Sequence, residues 1–122
     1  MIIYKTRWFD RWARKEGLND LSLCAAVNEM TAGLYEADLG GGLFKKRIAH
    51  SGQGKRGGFH TFVATNKGDC WFFVFGFSKN ERSNINKKEE KAIKKAGISA
   101  VILYQFSMKM HRIKLHGTEL QG

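Results

Sequence analysis

The sequence predicts an α+β fold in which two N-terminal helices precede a largely antiparallel sheet of three to four strands, and a further helix follows it. Three observations predict this. Helix caps and helically spaced apolar residues gather before residue 35, strand-like runs separated by turn signals fill residues 43–78, and a capping pair at residue 86 opens another helical stripe. The chain has 122 residues, 43% of them hydrophobic, and no proline, so a single domain over 1–122 with a buried core is expected.

Ile2 to Lys5 fits a short strand. Thr6 then caps a helix that carries Asp10 in its first turn, sets Trp8 and Trp12 on one face and ends at Gly17. Asn19 or Asp20 caps the next, where Leu23, Val27, Met30 and Leu34 recur at helical spacing and Gly33 marks the end. Leu43 to His50, Phe59 to Thr65 and Cys70 to Ser78 are strand candidates, the last two joined by a tight hairpin at Asn66 to Asp69. Trp71 to Phe77 shows no polar alternation, as expected of a central strand covered on both sides, whereas Leu43 to His50 interleaves Lys45, Lys46 and Arg47 with apolar positions and reads as nearer a working face. Asn86 with Glu89 resembles a capping box, continued by Ile93, Ala96 or Gly97, Ala100 and Tyr104, although residues 98–106 fit helix and strand equally well. Met108 to Leu115 suits an edge strand or a helical binding face.

Charge narrows the partners. Twenty-one Lys+Arg against eleven Asp+Glu give a net charge of +10, which points to an anionic partner. The excess begins at Lys45: residues 1–44 hold five basic and six acidic side chains, residues 45–82 eight and two. No apolar run approaches the roughly 18–20 residues of a membrane span and the first residues lack a secretory core, so a soluble cytoplasmic protein with no membrane partner is expected. Cys24 and Cys70 read as small core residues.

Walker, HExxH, CxxC, GxSxG and GxGxxG motifs are absent, and Glu89 and Glu90 are adjacent and diverge on their helix, so neither a metal nor a cofactor is expected. The glycine-rich stretch Gly52 to Gly58 precedes a strand instead of a helix and reads as a flexible cationic loop carrying Lys55 and Arg56. What remains is a cationic set: Lys45, Lys46, Arg47, Lys55, Arg56, His60, Lys79 and Arg82. Antiparallel pairing is expected to bring it to one side of the sheet as a phosphate-binding groove. Solvated charges with a structural histidine explain the same spacing equally well, because His60 reaches either groove or core depending on register. His50, His111 and His116 have weaker claims, and the phenylalanines of 72–77 read as core, with no base-stacking residue expected.

The chain resembles the RelE/ParE superfamily of type II toxin–antitoxin toxins, in its RelE-like, phage-derived or HigB-like group. The resemblance rests on Thr6-Arg-Trp-Phe9, Arg11-Trp-Ala13, Asp38 to Leu43 followed by Lys45-Lys-Arg-Ile48, Gly52-Gln-Gly-Lys55 with Gly57-Gly58, and Phe72 to Arg82 with Asn84-Ile85. It implies helices against a curved, mostly antiparallel sheet like that of small microbial RNases, and favours helix for 98–106. It further implies metal-independent cleavage of mRNA, commonly on the ribosome, by attack of a ribose 2′-OH that leaves a 5′-OH product. On this reading Lys46, His60, Lys79 and Arg82 are catalytic and Lys45, Arg47, Lys55 and Arg56 contact RNA. A cognate antitoxin, acid-rich, of helix-turn-helix type and encoded nearby, is the implied partner. Two departures stand out: His60 falls where many relatives carry arginine, and Asn86 where some place a tyrosine or histidine. The alternatives are a non-nuclease inhibitor of DNA gyrase, as in the ParE branch, and a nucleic-acid-binding module without turnover.

Overall fold

The computed structural model describes residues 2–50, 57–66, 68, 70–110 and 118–121, with the backbone alone at 106–110 and 118–121. The elements are β1 (Ile2–Lys5), α1 (Arg7–Glu16), α2 (Asp20–Thr31), β2 (Ala37–Gly40), β3 (Leu43–Ala49), β4 (Gly58–Thr65), β5 (Cys70–Ser78), α3 (Lys87–Met110) and β6 (Thr118–Gln121). They make one mixed six-stranded sheet in the order β2-β3-β4-β5-β1-β6, in which only β1 and β5 pair in parallel.

The local signals act as expected at the helices. Thr6 accepts the Phe9 amide and Asn19 the Ser22 amide, and Gly17 closes α1 at φ 75°. Asn86 and Glu89 form a reciprocal box, each side chain accepting the other's backbone N–H. Residues 98–106 continue α3 as helix.

The strand count differs from the expected three to four. β1 joins β5 as the one parallel neighbour, and β2 and β6 are additional four-residue edge strands. β2 exists because Gly40, Gly41 and Gly42 all adopt positive φ and turn it back onto β3; a Cβ on Gly42 would stand 2.6 Å from the Thr65 carbonyl oxygen. Of the stretch Met108 to Leu115, where helix or strand was open, residues 108–110 continue α3 and the rest lies outside the described residues.

Alternation splits the core between two sheet faces. Phe9, Leu23, Val27, Met30, Phe44, Ile48, Val63 and Phe73 pack under α1 and α2, while Leu43, Phe62, Phe72, Val74, Phe77, Ile93 and Tyr104 pack under α3. Cys70 is buried and Cys24 is half-buried. A bulge in β5 beside Phe62 and Val63 leaves Phe75 on the α3 face and Gly76 against Trp12, whose ring stands 2.6 Å from where a Cβ would lie. Lys5 ties β1 to the helices through Asp10 and Asp20, each at 2.8 Å. Among the described residues, no helix is long and apolar enough to cross a membrane.

Candidate functional site

β3 and β4 pair in the register Lys45↔Phe62, Lys46↔Thr61 and Arg47↔His60, so Lys45, Arg47 and His60 share the α3 face. The 79–86 connection meets this face at Lys45 and Phe77. Lys45 Nζ donates to Asn84 Oδ1 at 3.2 Å, and the Lys79 amide bonds to the Gly58 carbonyl just past β5. His60 leans on Phe77, ring centroids 5.2 Å apart, with Arg82 5.1 Å over the same ring.

Burial pushes the His60 imidazole below its ordinary pKa of 6.5, and the neighbouring charges of Lys45 and Arg47 push the same way; Glu36 opposes them and Lys79 adds to them. His60 is therefore neutral at neutral pH. Its Nδ1 is buried with no hydrogen-bond partner among the described residues.

The expected set does not assemble whole. Lys46 lies on the opposite face, only 6% exposed, because a one-residue step along a strand reverses side-chain direction. There it is ion-paired to Glu29 at 2.7 Å and donates to the Leu34 carbonyl at 3.0 Å, joining β3 to α2. Arg82 reaches the face but is occupied: Nη1 donates to Glu89 Oε2 at 2.9 Å, Nη2 to Glu89 Oε1, and Nε and Nη2 to the Asn84 carbonyl at 3.0 and 2.9 Å. These bonds hold the guanidinium firmly protonated and draw the Glu89 carboxyl below the usual carboxylate range. Lys55 and Arg56 lie outside the described residues. The converging group is Lys45, Arg47, His60 and Lys79.

Carboxylates border it as well. Arg47 and Lys79 also line an open groove of about 730 Å³ on the α2 side of the sheet, with Ser22, Glu29 and Glu36, and Glu36 accepts the Arg47 backbone N–H. Sequence reasoning had no signal for Glu36, which flanks a strand too short to recognise. Asn84 and Glu89 were visible as a motif member and a cap, but their contacts with Lys45 and Arg82 were not. Among the described residues, no three His, Cys, Asp or Glu side chains stand close enough to hold a metal ion.

The model of the family described as the RelE toxin of the RelE/RelB toxin–antitoxin system matches residues 1–118. The chain belongs to the RelE toxin family. A search of curated proteins finds no match. Membership makes this chain a toxin of a toxin–antitoxin system, with an antitoxin as partner, and the toxin's cationic face has to be understood in that setting.

Proposed function

We propose that the toxin is an mRNA endoribonuclease that blocks translation, acting on message at the ribosome, and that the α3 face of β3 and β4 is its active site. The observation that carries this reading is the electrostatic convergence of Lys45, Arg47 and Lys79 on His60, which shares the α3 face with Lys45 and Arg47. Neutral His60 takes the proton of the ribose 2′-OH through Nε2 as the oxygen attacks phosphorus. Arg47 and Lys45 stabilise the negative charge of the phosphorane. The bond from phosphorus to the 5′ oxygen then breaks, and the Lys79 ammonium protonates that oxygen. The products are a 2′,3′-cyclic phosphate and a 5′-OH fragment.

Arg82 acts in this scheme as a positioning residue, fixing the 82–89 connection and with it Asn84 against Lys45. Lys46 has a structural role. Lys55 and Arg56, which follow β3 and precede β4 in the sequence, are proposed RNA contacts. Purified toxin incubated with mRNA, with and without ribosomes, tests the proposal: it requires cuts bearing 5′-OH ends that His60→Ala abolishes. Gyrase poisoning without such cuts would favour the ParE-like reading, and salt-sensitive RNA binding without cuts a module lacking turnover.

A further inference from the structure

β1 ends opposite Phe73, so the second half of β5 has no strand on that flank. Thr6 covers the first step, its amide donating to the Phe73 carbonyl and its hydroxyl to the Val74 carbonyl. Trp8 then swings round the free edge and stacks on Phe75, centroids 4.5 Å apart and planes within 28°. Trp8 is 41% exposed in spite of this contact, and Phe75 is half-buried.

The indole also forms one wall of a groove of about 380 Å³ between the start of α1 and α3. Phe72, Ala100 and Leu103 make the apolar lining, with Arg7 and Ser99 at its rim. The groove opens on the same sheet face as His60. Phe75 connects the two, lying 6.5 Å from Phe77, the ring that His60 and Arg82 share. Arg7, which lines it, is exposed.

Resting on the RNA reading of the cationic face, we propose that the Trp8 groove receives an unpaired base of the RNA strand whose backbone crosses Lys45, Arg47 and Lys79. Three features favour a nucleobase over a protein side chain here. The wall is an indole stacked on Phe75, the rings of Phe75 and Phe77 join the groove through the core to His60, and the exposed charge that lines it is Arg7, able to hold phosphate. The groove gives the toxin a hold on a nucleotide flanking the scissile link, sequence-tolerant because every base has a π-face.

The test compares two single-stranded oligomers of equal length, one a 2′-O-methyl RNA and one its abasic counterpart, titrated onto the whole protein at low salt. Wild type is expected to favour the base-bearing oligomer about tenfold. Trp8→Ala should erase that preference with the abasic affinity unchanged, and Trp8→Phe should keep most of it. Ser99→Phe, an exposed change on α3 that plugs the groove and leaves Trp8 in place, should also erase it and covers the case in which Trp8→Ala does not fold. A preference that survives Trp8→Ala or Ser99→Phe overturns the proposal, as does a wild type that binds both oligomers equally; in either case the RNA reading of the cationic face stands. Binding to neither oligomer sinks both. If the two substitutions spare RNA affinity but weaken neutralisation by the antitoxin, the groove is a protein-docking face and the proposal is wrong.

Discussion

Lys45 and Lys46 are neighbours in the chain but end on opposite faces of the sheet, one against Asn84 on the α3 side and the other against Glu29 under α2. Two substitutions of the same chemical kind therefore have separate consequences. Lys46→Ala should destabilise the fold by about 1–3 kcal/mol, because it removes a buried ammonium that satisfies a carboxylate and a carbonyl; Glu29, half exposed, keeps the cost below that of a fully buried pair. Lys45→Ala should leave stability within about 0.5 kcal/mol and instead lower the salt slope of RNA binding by roughly 0.7. Denaturant unfolding and binding at several salt concentrations separate the two, and a reversed pattern would show the assignment of faces to be functionally irrelevant.

His60 links pH to both stability and rate. Its folded pKa is lowered, so the unfolded chain binds the proton more readily; the stability tied to His60 is complete above pH 6.5 and drains as pH falls from there toward the folded value. Cleavage should lose its base over the same lower range. Lys45→Met removes one of the charges opposing the imidazolium and should move the His60 midpoint upward in an NMR titration, carrying the acid limb of the rate with it.

Arg82 can be tested through its partner. Glu89→Gln removes no cation from the RNA face, yet it weakens the fork that fixes Arg82 and also alters the capping box at Asn86. It is expected to reproduce a large part of the loss in cleavage caused by Arg82→Ala, with RNA affinity changed little. Arg82→Lys should fare poorly too, since an ammonium cannot span Glu89 and the Asn84 carbonyl together. Full cleavage by Glu89→Gln would mean that Arg82 works by touching phosphate instead.

Lys5 sets a second pH dependence. Burial opposes its charge, but hydrogen bonds to Asp10 and Asp20 outweigh it and raise the ammonium above the usual 10.5, while the bond from Lys5 holds Asp10 below 3.8. The Asp10 contribution is therefore present above pH 3.8 and lost as pH falls through its lower folded value; the Lys5 contribution is present below pH 10.5 and lost as pH rises past its higher one. Asp10→Asn should cost about 1 kcal/mol at neutral pH and flatten the acid end of the stability curve, as read by unfolding between pH 2 and 7.

The elements whose causes are local were legible from the sequence. Thr6, Gly17, Asn19 and the Asn86–Glu89 box lie within a few residues of the backbone groups they satisfy, and the apolar run of β5 announces a strand buried on both faces. β2 and β6 were not: each is only four residues long, and β6 pairs with β1 from the other end of the chain, while β2 is short, lacks an apolar run and is set by the glycine turn onto β3. The site divides the same way. Composition identified the cations, but only the pairing of Arg47 with His60 assigns faces, and that register depends on contacts no spacing rule contains.

The placement of β1 between β5 and β6 also bears on how the molecule is made. The earliest strand to leave the ribosome must wait for Cys70–Phe73 before it gains its first flank, and for Thr118–Gln121 before it gains its second. Such late closure of long loops is the kind of topology that slows folding relative to helical chains of equal size. Until both partners are made, the backbone groups along the edges of β1 have no neighbouring strand to satisfy them.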